Sequence, residues 1–202
     1  MMMEDYLEQF TRTGQLETDM SSFLTSCGYP KTAEHCAAVA AEAKNLAVRF
    51  QSNPHQAEQA GYLHDISAVI PVNQRLELAH SYNIEVLEEE KQFPMILHQK
   101  LSVVIAREIF QVTDSQVLSA IGCHTTLKTG ASRLDKIVFL ADKIAWDQDG
   151  TPAYLPEMRA ALDQSLDSAV LVYLDFLWHH RSQLRVIHPW LVEARQELLQ
   201  SA

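Results

Sequence analysis

The chain has 202 residues, 47% of them apolar and 21% charged, and its formal net charge is −10. This length is enough for one well-buried core and not clearly for two, and no Pro-rich or Ser/Gly-rich linker divides the chain, so we predict a single domain over residues 1–202. The acidic charge argues against nucleic-acid binding, which needs a basic face, and the lack of an apolar run of about 18 residues argues against a membrane span.

The first part of the chain has a helical hydrophobic period. We expect an N-terminal helical arm over residues 1–16 and then a long helix through "TAEHCAAVAAEAKNLAVRF". One face of that helix carries residues at three- and four-residue spacing: His35, Val39, Ala43, Leu46 and Phe50. The next helix is predicted to begin at Asn53-Pro54, a cap followed by proline at the first helical position, and to run into His64-Asp65.

The middle of the chain continues with shorter helices, predicted over residues 71–80 and 84–91. The amphipathic segment "LHQKLSVVIAREIF" follows, and its apolar stripe includes His98. Asp114 is placed to cap "SQVLSAIGCH", in which His124 follows apolar residues at helical spacing. Both of these helices therefore present a histidine on their apolar side.

A further run, "RLDKIVFLADKIAW", is apolar almost all round and contains Asp142. Ser132 with Asp135 resembles a capping box at its start. After a loop over residues 147–153, the remainder reads as two or three more helices, and no convincing strand alternation occurs. The predicted fold class is therefore an all-α bundle.

Four histidines lie on the apolar faces of four different predicted helices, and two carboxylates accompany them. A lone histidine on an apolar face is more often a satisfied core residue, but packing alone hardly explains four of them. Imidazole and carboxylate groups together suit Fe, Mn, Co, Ni or Zn, and a shared cation would satisfy the whole set. We therefore predict metal ligands at six positions: His35, His64, Asp65, His98, His124 and Asp142.

The adjacent ligands His64 and Asp65 pose a geometric problem. Neighbouring residues on a helix point about 100° apart, so the pair can serve one metal only at a helix end or distortion. Alternatively, Asp65 bridges two metals.

The cysteines indicate the compartment. Cys27, Cys36 and Cys123 are an odd count without a CxxC motif, and the acidic N-terminus lacks the features of a secretory signal. We expect a cytoplasmic protein without a disulfide framework.

The order H…HD…H…H…D resembles that of the HD-domain metallohydrolases, which are named after the His-Asp pair. Over about residues 20–195, the chain is most similar to the YqeK subfamily of bacterial symmetrical bis(5'-nucleosyl)-tetraphosphatases. The similarity rests on six segments: "HCAAVAAEAKNLAVRF", "AGYLHDIS", "LHQKLSVVIAREIF", "AIGCHTT", "LDKIVFLADKI" and "IHPWLVEA".

This resemblance implies an all-α HD-domain bundle with two metal ions, typically iron, although Mn, Co and Ni share these ligands. It implies that His35, His64 and Asp142 hold one metal, that His98 and His124 hold the other, and that Asp65 bridges them. The implied activity is hydrolysis of diadenosine tetraphosphate to two ADP by a metal-bridged hydroxide, with His64 and Asp65 at the catalytic centre. A nucleotide is the expected partner, and a homodimer is an alternative to a monomer.

Substrate phosphates would need donors near the metals. The two threonines after His124 follow a ligand directly, and free N–H groups at the helix start near Ser132 could bind an anion. We therefore predict nucleotide contacts at five positions: Thr125, Thr126, Lys128, Arg133 and Lys136. Trp146 is close enough to Asp142 in the sequence to line the same pocket.

Some positions depart from the family, which usually has basic residues where this chain has Ala38 and Ala68, and a glycine where it has Gln99. The missing basic groups are ones that we would expect to touch phosphates. Three alternatives therefore stay open: an HD phosphohydrolase for another nucleotide or phosphoester, a nucleotide-binding module without turnover, and the di-iron oxygen chemistry of some HD proteins.

Overall fold

The computed structural model describes residues 10–147 and 149–201. These residues contain eleven α-helices, numbered in chain order: α1 (Leu16–Ser26), α2 (Pro30–Arg49), α3 (Pro54–Leu63), α4 (Arg75–Ser81), α5 (Glu88–Gln92), α6 (His98–Glu108), α7 (Ser115–Cys123), α8 (Arg133–Ile144), α9 (Leu155–Ala161), α10 (Leu166–His179) and α11 (Pro189–Ser201). Short 3₁₀ turns add Ile66–Val69, Val72–Gln74, Pro94–Leu97 and Arg181–Gln183. No strand occurs in this part of the chain, and the all-α prediction is confirmed.

Helix α8 is the central element of the bundle. It packs against α2, α3, α7 and α10, and nine of its twelve residues are buried. This explains why its sequence is apolar almost all round, since a helix covered by neighbours on every side has no polar face to present. A charged side chain on such a helix, such as Asp142, must find its partners inside the protein.

The predicted helix starts are confirmed by their hydrogen bonds. The side chains of Asn53 and Asp114 each accept hydrogen bonds from backbone N–H groups in the first turn of α3 and α7. Ser132 and Asp135 form a reciprocal capping box at the start of α8. These caps fix where each helix begins, and therefore which turn carries each histidine.

Helices α2 and α3 approach each other closely at Gly61. A Cβ atom added at Gly61 would lie 2.5 Å from the Cα atom of Ala40, a contact that only backbone movement could relieve. Glycine at this position therefore permits the contact. The close approach brings His64, just after α3, beside His35 of α2, with ring centroids 5.2 Å apart.

The predicted N-terminal arm needs a correction. Its residues 1–9 lie outside the described part of the chain, and residues 10–15 are not helical. Gly14 has a positive φ of 87°, and its N–H group donates to the carboxylate of Asp19 in the first turn of α1. A helix cannot continue through this turn, so the first described helix starts at Leu16.

The remaining predicted elements are present with shifted boundaries. The short helices expected over residues 71–80 and 84–91 occur as α4 and α5, and both start later than predicted. The two or three helices expected after the loop over residues 147–153 are α9, α10 and α11. Among the described residues, no helix has the length and apolar character needed to cross a bilayer.

Candidate metal centre

The six predicted ligands converge on one cavity from five helices. Their positions are His35 in α2, His64 and Asp65 just after α3, His98 at the first residue of α6, His124 just after α7, and Asp142 in α8. Asp65 has φ −108° and ψ 18°, so the chain has left the helix between the two adjacent ligands. The His-Asp pair thus lies at a helix end, which lets both side chains face the same cavity.

Three of the histidines are oriented by the same local contact. The Nδ1 atoms of His64, His98 and His124 lie 2.8, 2.6 and 2.8 Å from the backbone carbonyl oxygen three residues earlier. Because a carbonyl only accepts, Nδ1 must carry the proton and donate it. In the neutral ring this leaves the lone pair on Nε2, which points into the cavity as a metal ligand requires.

One set of ligand atoms gathers around Asp142. Its Oδ1 atom lies 3.2 Å from Nε2 of His35 and 3.6 Å from Nε2 of His64. The potential ligand atoms of these three residues all lie within 4.8 Å of one another. We call these residues the Asp142 group.

The second set gathers around Asp65. Its Oδ1 atom lies 3.3 Å from Nε2 of His98 and 3.4 Å from Nε2 of His124, and the two imidazole nitrogens are 3.0 Å apart. The other oxygen of Asp65, Oδ2, lies 3.7 Å from Nε2 of His64. The carboxylate of Asp65 therefore faces its own group with one oxygen and the Asp142 group with the other.

Two buried side-chain nitrogens among the described residues, Nδ1 of His35 and Nε2 of His64, have no hydrogen-bond partner. The Nε2 atoms of His98 and His124 present lone pairs to each other when both rings are neutral, which is repulsive. A cation between these atoms would satisfy them, and the nitrogen and oxygen donor set suits a first-row transition metal. The residues present therefore fit a metal site.

The protonation states of these residues also favour a bound cation. Burial acts to raise the pKa of both Asp142 and Asp65. Lys143 with His35 and His64 outweighs it at Asp142, and the neighbouring histidines outweigh it at Asp65, so the pKa of both carboxyls lies below the usual range. Burial lowers the pKa of His98 to about 4 and also lowers that of His124. Two ionised carboxylates thus face two neutral imidazoles, an arrangement that attracts positive charge.

The pKa of His64 shifts in the opposite direction to that of His98 and His124. Burial acts to lower the pKa of His64, but the charge of Asp65 and the nearby Asp142 outweigh it and raise that pKa well above its usual value. The point between the two carboxylates therefore favours a positive charge, whether a proton on His64 or a metal ion.

Residues outside the six ligands hold them in place. Lys143 donates to Oδ2 of Asp142 and, at 3.2 Å, to the backbone carbonyl of His124, so it connects the two groups. Gln99, at a position where the resemblance predicts glycine, accepts a hydrogen bond from the N–H group of Thr125. Outer contacts of this kind orient ligands and tune a bound metal.

Four of the five predicted phosphate contacts have other partners in the structure, and their role toward a substrate stays a prediction. Lys136 pairs with Asp167 at 2.5 Å. The other three are engaged away from the ligand atoms: Arg133 with the backbone of Phe50 and Gln51, Lys128 with Ser119, and buried Thr126 with Gln99. Lys136 lies six residues before Asp142, about 9 Å along the axis of α8, so proximity in sequence does not place it at the ligand end of the helix. Of the five, only Thr125 contacts a ligand, with Oγ1 3.0 Å from Nε2 of His98.

Three of the six predicted ligands, His35, Asp65 and Asp142, line a cavity of about 320 Å³, which we call the ligand cavity. Three of its lining residues are aromatic: Trp146, Tyr154 and Tyr173. Trp146 lines the cavity, as its sequence position indicated, and is 38% exposed. Among the described residues, Lys143 is the one Lys or Arg that lines the cavity.

The cavity residues that were not predicted differ in whether a sequence signal could have identified them. Lys143 had one, because a lysine beside Asp142 on a helix that is apolar all round must be engaged inside the protein. Tyr154 and Tyr173 had none, because they follow the loop over residues 147–153, whose path back to the ligands is not readable from a hydrophobic pattern.

Comparisons with known proteins agree with this geometry. Residues 32–147 match the HD domain family, and this stretch contains all six converging ligands. A Lactococcus lactis subsp. cremoris protein, described as an uncharacterized protein in the pepC 5' region, is 50% identical over 143 residues, which cover 71% of this chain and 72% of that protein. A probable nicotinate-nucleotide adenylyltransferase/Ap4A hydrolase of Mycoplasma genitalium is 33% identical over 114 residues; these cover 56% of this chain and only 32% of that protein.

Two further comparisons add a second named relative and a solved structure. A symmetrical bis(5'-nucleosyl)-tetraphosphatase of Halalkalibacterium halodurans is 26% identical over 148 residues, covering 71% of this chain and 78% of that protein. The crystal structure of a predicted HD superfamily hydrolase involved in NAD metabolism, from Clostridium acetobutylicum, superposes with a TM-score of 0.84 at 24% identity. That superposition covers 96% of this chain and 100% of the other, and it shows a shared fold. With a match over more than half of its length, the chain belongs to the HD-domain family of hydrolases.

Proposed function

We propose that this HD-domain phosphohydrolase binds two metal ions through its six converging ligands and cleaves dinucleoside tetraphosphates symmetrically, converting diadenosine tetraphosphate to two ADP. Iron is the metal implied by the resemblance, and manganese, cobalt and nickel are compatible with the same donors. The observation that carries the proposal is the position of Asp65, whose two oxygens face two separate groups of imidazoles.

The division of ligands follows from this position. The Asp142 group would hold one ion, His98 and His124 would hold the other, and Asp65 would contact both. Metal ions held in this way would supply an acidified water and neutralise charge on the phosphates. The chain's own contribution is to fix the imidazoles through their Nδ1 hydrogen bonds and to keep both carboxylates ionised.

The overall reaction sets what the site must accommodate. The oxygen of water bonds to one of the two central phosphorus atoms, the bond from that phosphorus to the bridging oxygen breaks, and the water gives up a proton. Each half then leaves as ADP. Lys143, the lysine at the cavity wall, is placed to face phosphate charge, and Thr125 offers a hydroxyl beside His98.

The names of the relatives support this substrate. The Mycoplasma genitalium relative is named as a probable Ap4A hydrolase, and the Halalkalibacterium halodurans relative as a symmetrical tetraphosphatase. The latter match covers most of both chains.

A second candidate is hydrolysis of another nucleotide or phosphoester with fewer phosphates. The observation that favours it is the scarcity of cations at the cavity: Lys136, Arg133 and Lys128 are engaged elsewhere, and Ala38 and Ala68 stand where basic residues are usual in the family. A substrate with less charge would need fewer such contacts.

One experiment separates these functions. The metal content of protein purified without added metal is measured, and the same protein is incubated with diadenosine tetraphosphate and the products are resolved. We expect two metal ions per chain and ADP as the sole product. ATP with AMP would contradict symmetric cleavage, and intact substrate with full metal content would favour the second candidate.

The Asp65→Ala variant tests the carrying observation. We expect it to lose metal and activity together, because one carboxylate serves both groups. The matched control is Asp163→Ala, which removes a carboxylate that is 79% exposed and paired with Arg49 at the surface. Full activity in Asp65→Ala would contradict the bridging role.

A further inference from the structure

A second and larger cavity adjoins the ligand cavity. It has a volume of about 640 Å³ and lies between α9 and α10, and we call it the α9–α10 groove. Tyr154 lines both cavities, so the two adjoin at this side chain. Its volume falls within the range of about 300–1,000 Å³ that is usual for small-molecule sites.

A row of aromatic rings leads from one cavity into the other. Tyr173 and Tyr154, which line the ligand cavity, have ring centroids 4.8 Å apart. The row continues from Tyr154 to Phe176 at 5.3 Å and from Phe176 to His180 at 4.4 Å, and both of these line the groove. Tyr154 is only 6% exposed, whereas Phe176 and His180 are partly exposed, so the groove end of the row is open to a ligand.

The charge of the groove differs from that of a phosphate site. In the described part of the chain, no Lys or Arg lines it, whereas the carboxylates of Glu157 and Asp175 do, and Oδ1 of Asp175 accepts from Arg195 at 2.6 Å. The lining itself therefore offers phosphates no cation, but hydroxyl and amino groups of a ligand could donate to Glu157. The side chains of Leu171 and Val172 add an apolar wall. A neutral, partly aromatic ligand with several hydrogen-bond donors fits this lining, and a nucleoside has that chemistry.

We infer that the α9–α10 groove binds one nucleoside of a dinucleoside polyphosphate whose phosphates lie in the ligand cavity. The inference rests on the proposed function for the identity of the whole substrate. It also accounts for the scarcity of cations at the ligand cavity, because base and ribose contacts in the groove supply affinity that phosphate contacts would otherwise provide. Stacking on an aromatic side chain is a favourable contact that any base can make.

The test fills the groove without touching the metal ligands. Ala160 is exposed on α9 and lines the groove, so Ala160→Trp places a bulky ring in the nucleoside position. The matched control is Ala41→Trp, the same change at an exposed residue of α2. For each metal-loaded protein, kcat/KM for diadenosine tetraphosphate is measured, and the binding of adenosine alone is measured by calorimetry.

We expect Ala160→Trp to lower kcat/KM for diadenosine tetraphosphate by about tenfold and to weaken adenosine binding by a similar factor, as loss of one stacked base predicts. Ala41→Trp should match the unsubstituted protein in both measurements. Metal content, which the groove does not determine, should be the same in all three proteins.

The outcomes distinguish this inference from the proposed function. If all three proteins cleave the substrate equally, the nucleoside groove is refuted and the proposed function stands. If none cleaves it, yet Ala160→Trp alone loses adenosine binding, the proposed function fails and the groove stands as a nucleoside site. The inference is also overturned if adenosine does not bind, or if it binds Ala160→Trp as tightly as Ala41→Trp.

Discussion

The described part of the chain contains two clusters of histidine, carboxylate and lysine, and they differ in how well their polar atoms are satisfied. One is the ligand cluster, the six converging ligands with Lys143. The other, which we call the Glu90 cluster, consists of Glu90, Lys100 and His188.

In the Glu90 cluster every polar side-chain atom has a partner. Oε2 of Glu90 accepts from Lys100 at 2.8 Å, Oε1 lies 3.3 Å from Nε2 of His188, and Nδ1 of His188 accepts from the N–H group of Trp190 at the start of α11. The ligand cluster instead leaves Nε2 of His64 without a hydrogen bond among the described residues. The same residue types therefore form a satisfied structural contact in one place and a candidate metal site in the other, and the unpaired atom distinguishes the two.

The largest expected effect is from Asp142→Asn in the ligand cluster. The change removes the charge at the centre of the Asp142 group, so we expect loss of bound metal and a fall in kcat greater than the roughly 10–100-fold that an outer contact costs. Metal analysis and steady-state assays measure both, and circular dichroism should show an unchanged fold. Normal metal content in this variant would contradict the assignment of Asp142 as a ligand.

The Glu90→Ala variant should have the opposite profile. It leaves Lys100 and His188, whose side chains are 11% and 2% exposed, without their shared carboxylate, so we expect the free energy of unfolding to fall by about 3 kcal/mol while metal content stays normal. Urea unfolding measures the loss. Glu88→Ala is the matched control, since Glu88 is exposed and its removal should change stability by less than about 0.5 kcal/mol. An equal loss in both variants would mean that the Glu90 cluster does not stabilise the fold.

The next effect tests the link between the two ligand groups. Lys143→Met should weaken metal binding or activity by about 10–100-fold, because Asp142 and the carbonyl of His124 lose their shared donor. Lys136→Met makes the same change nearer the other end of α8, where the lysine pairs with Asp167, and should leave activity unchanged. A loss of activity in Lys136→Met would restore that residue as a substrate contact.

The smallest effect is on the acid sensitivity of the fold. Burial acts to raise the pKa of Glu90, but the contacts from His188 and Lys100 outweigh it and lower that pKa. Since an unfolded glutamate titrates at about 4.3, the unfolded chain binds the proton more readily, and Glu90 contributes stability above that pH which is lost as the pH falls through the lower folded value. Glu90→Gln should therefore show a shallower decline in unfolding free energy from about pH 6 to about pH 3. An unchanged slope would contradict this.

Much of the candidate site was predictable because its ligands violate the hydrophobic pattern. His35, His98 and His124 each fall on an apolar helix face, and Asp142 lies inside a helix without a polar side, so the sequence itself singles them out. The helix caps were predictable for a similar reason, since Asn53 and Asp114 act on backbone groups only two or three residues away.

The substrate side of the site was not predictable in this way. Lys136 is close to Asp142 in sequence but far from it along α8, and Tyr154 is distant in sequence but lies in the cavity wall. Such positions depend on the path of the loop before α9 and on the packing of α10, which no local pattern encodes. The predicted helical arm was wrong over residues 10–15 because the Gly14 turn and its bond to Asp19 favour an irregular backbone.

The contact between Gly61 and Ala40 has a consequence for how such a site can be lost or acquired. The spacing between α2 and α3 is set by a hydrogen atom on Gly61, where even a methyl group would meet backbone atoms. A chain could therefore retain all six ligands and still hold His35 and His64 too far apart to share an ion. In comparing distant homologues, the size of the residue at this crossing is as informative as the presence of the histidines.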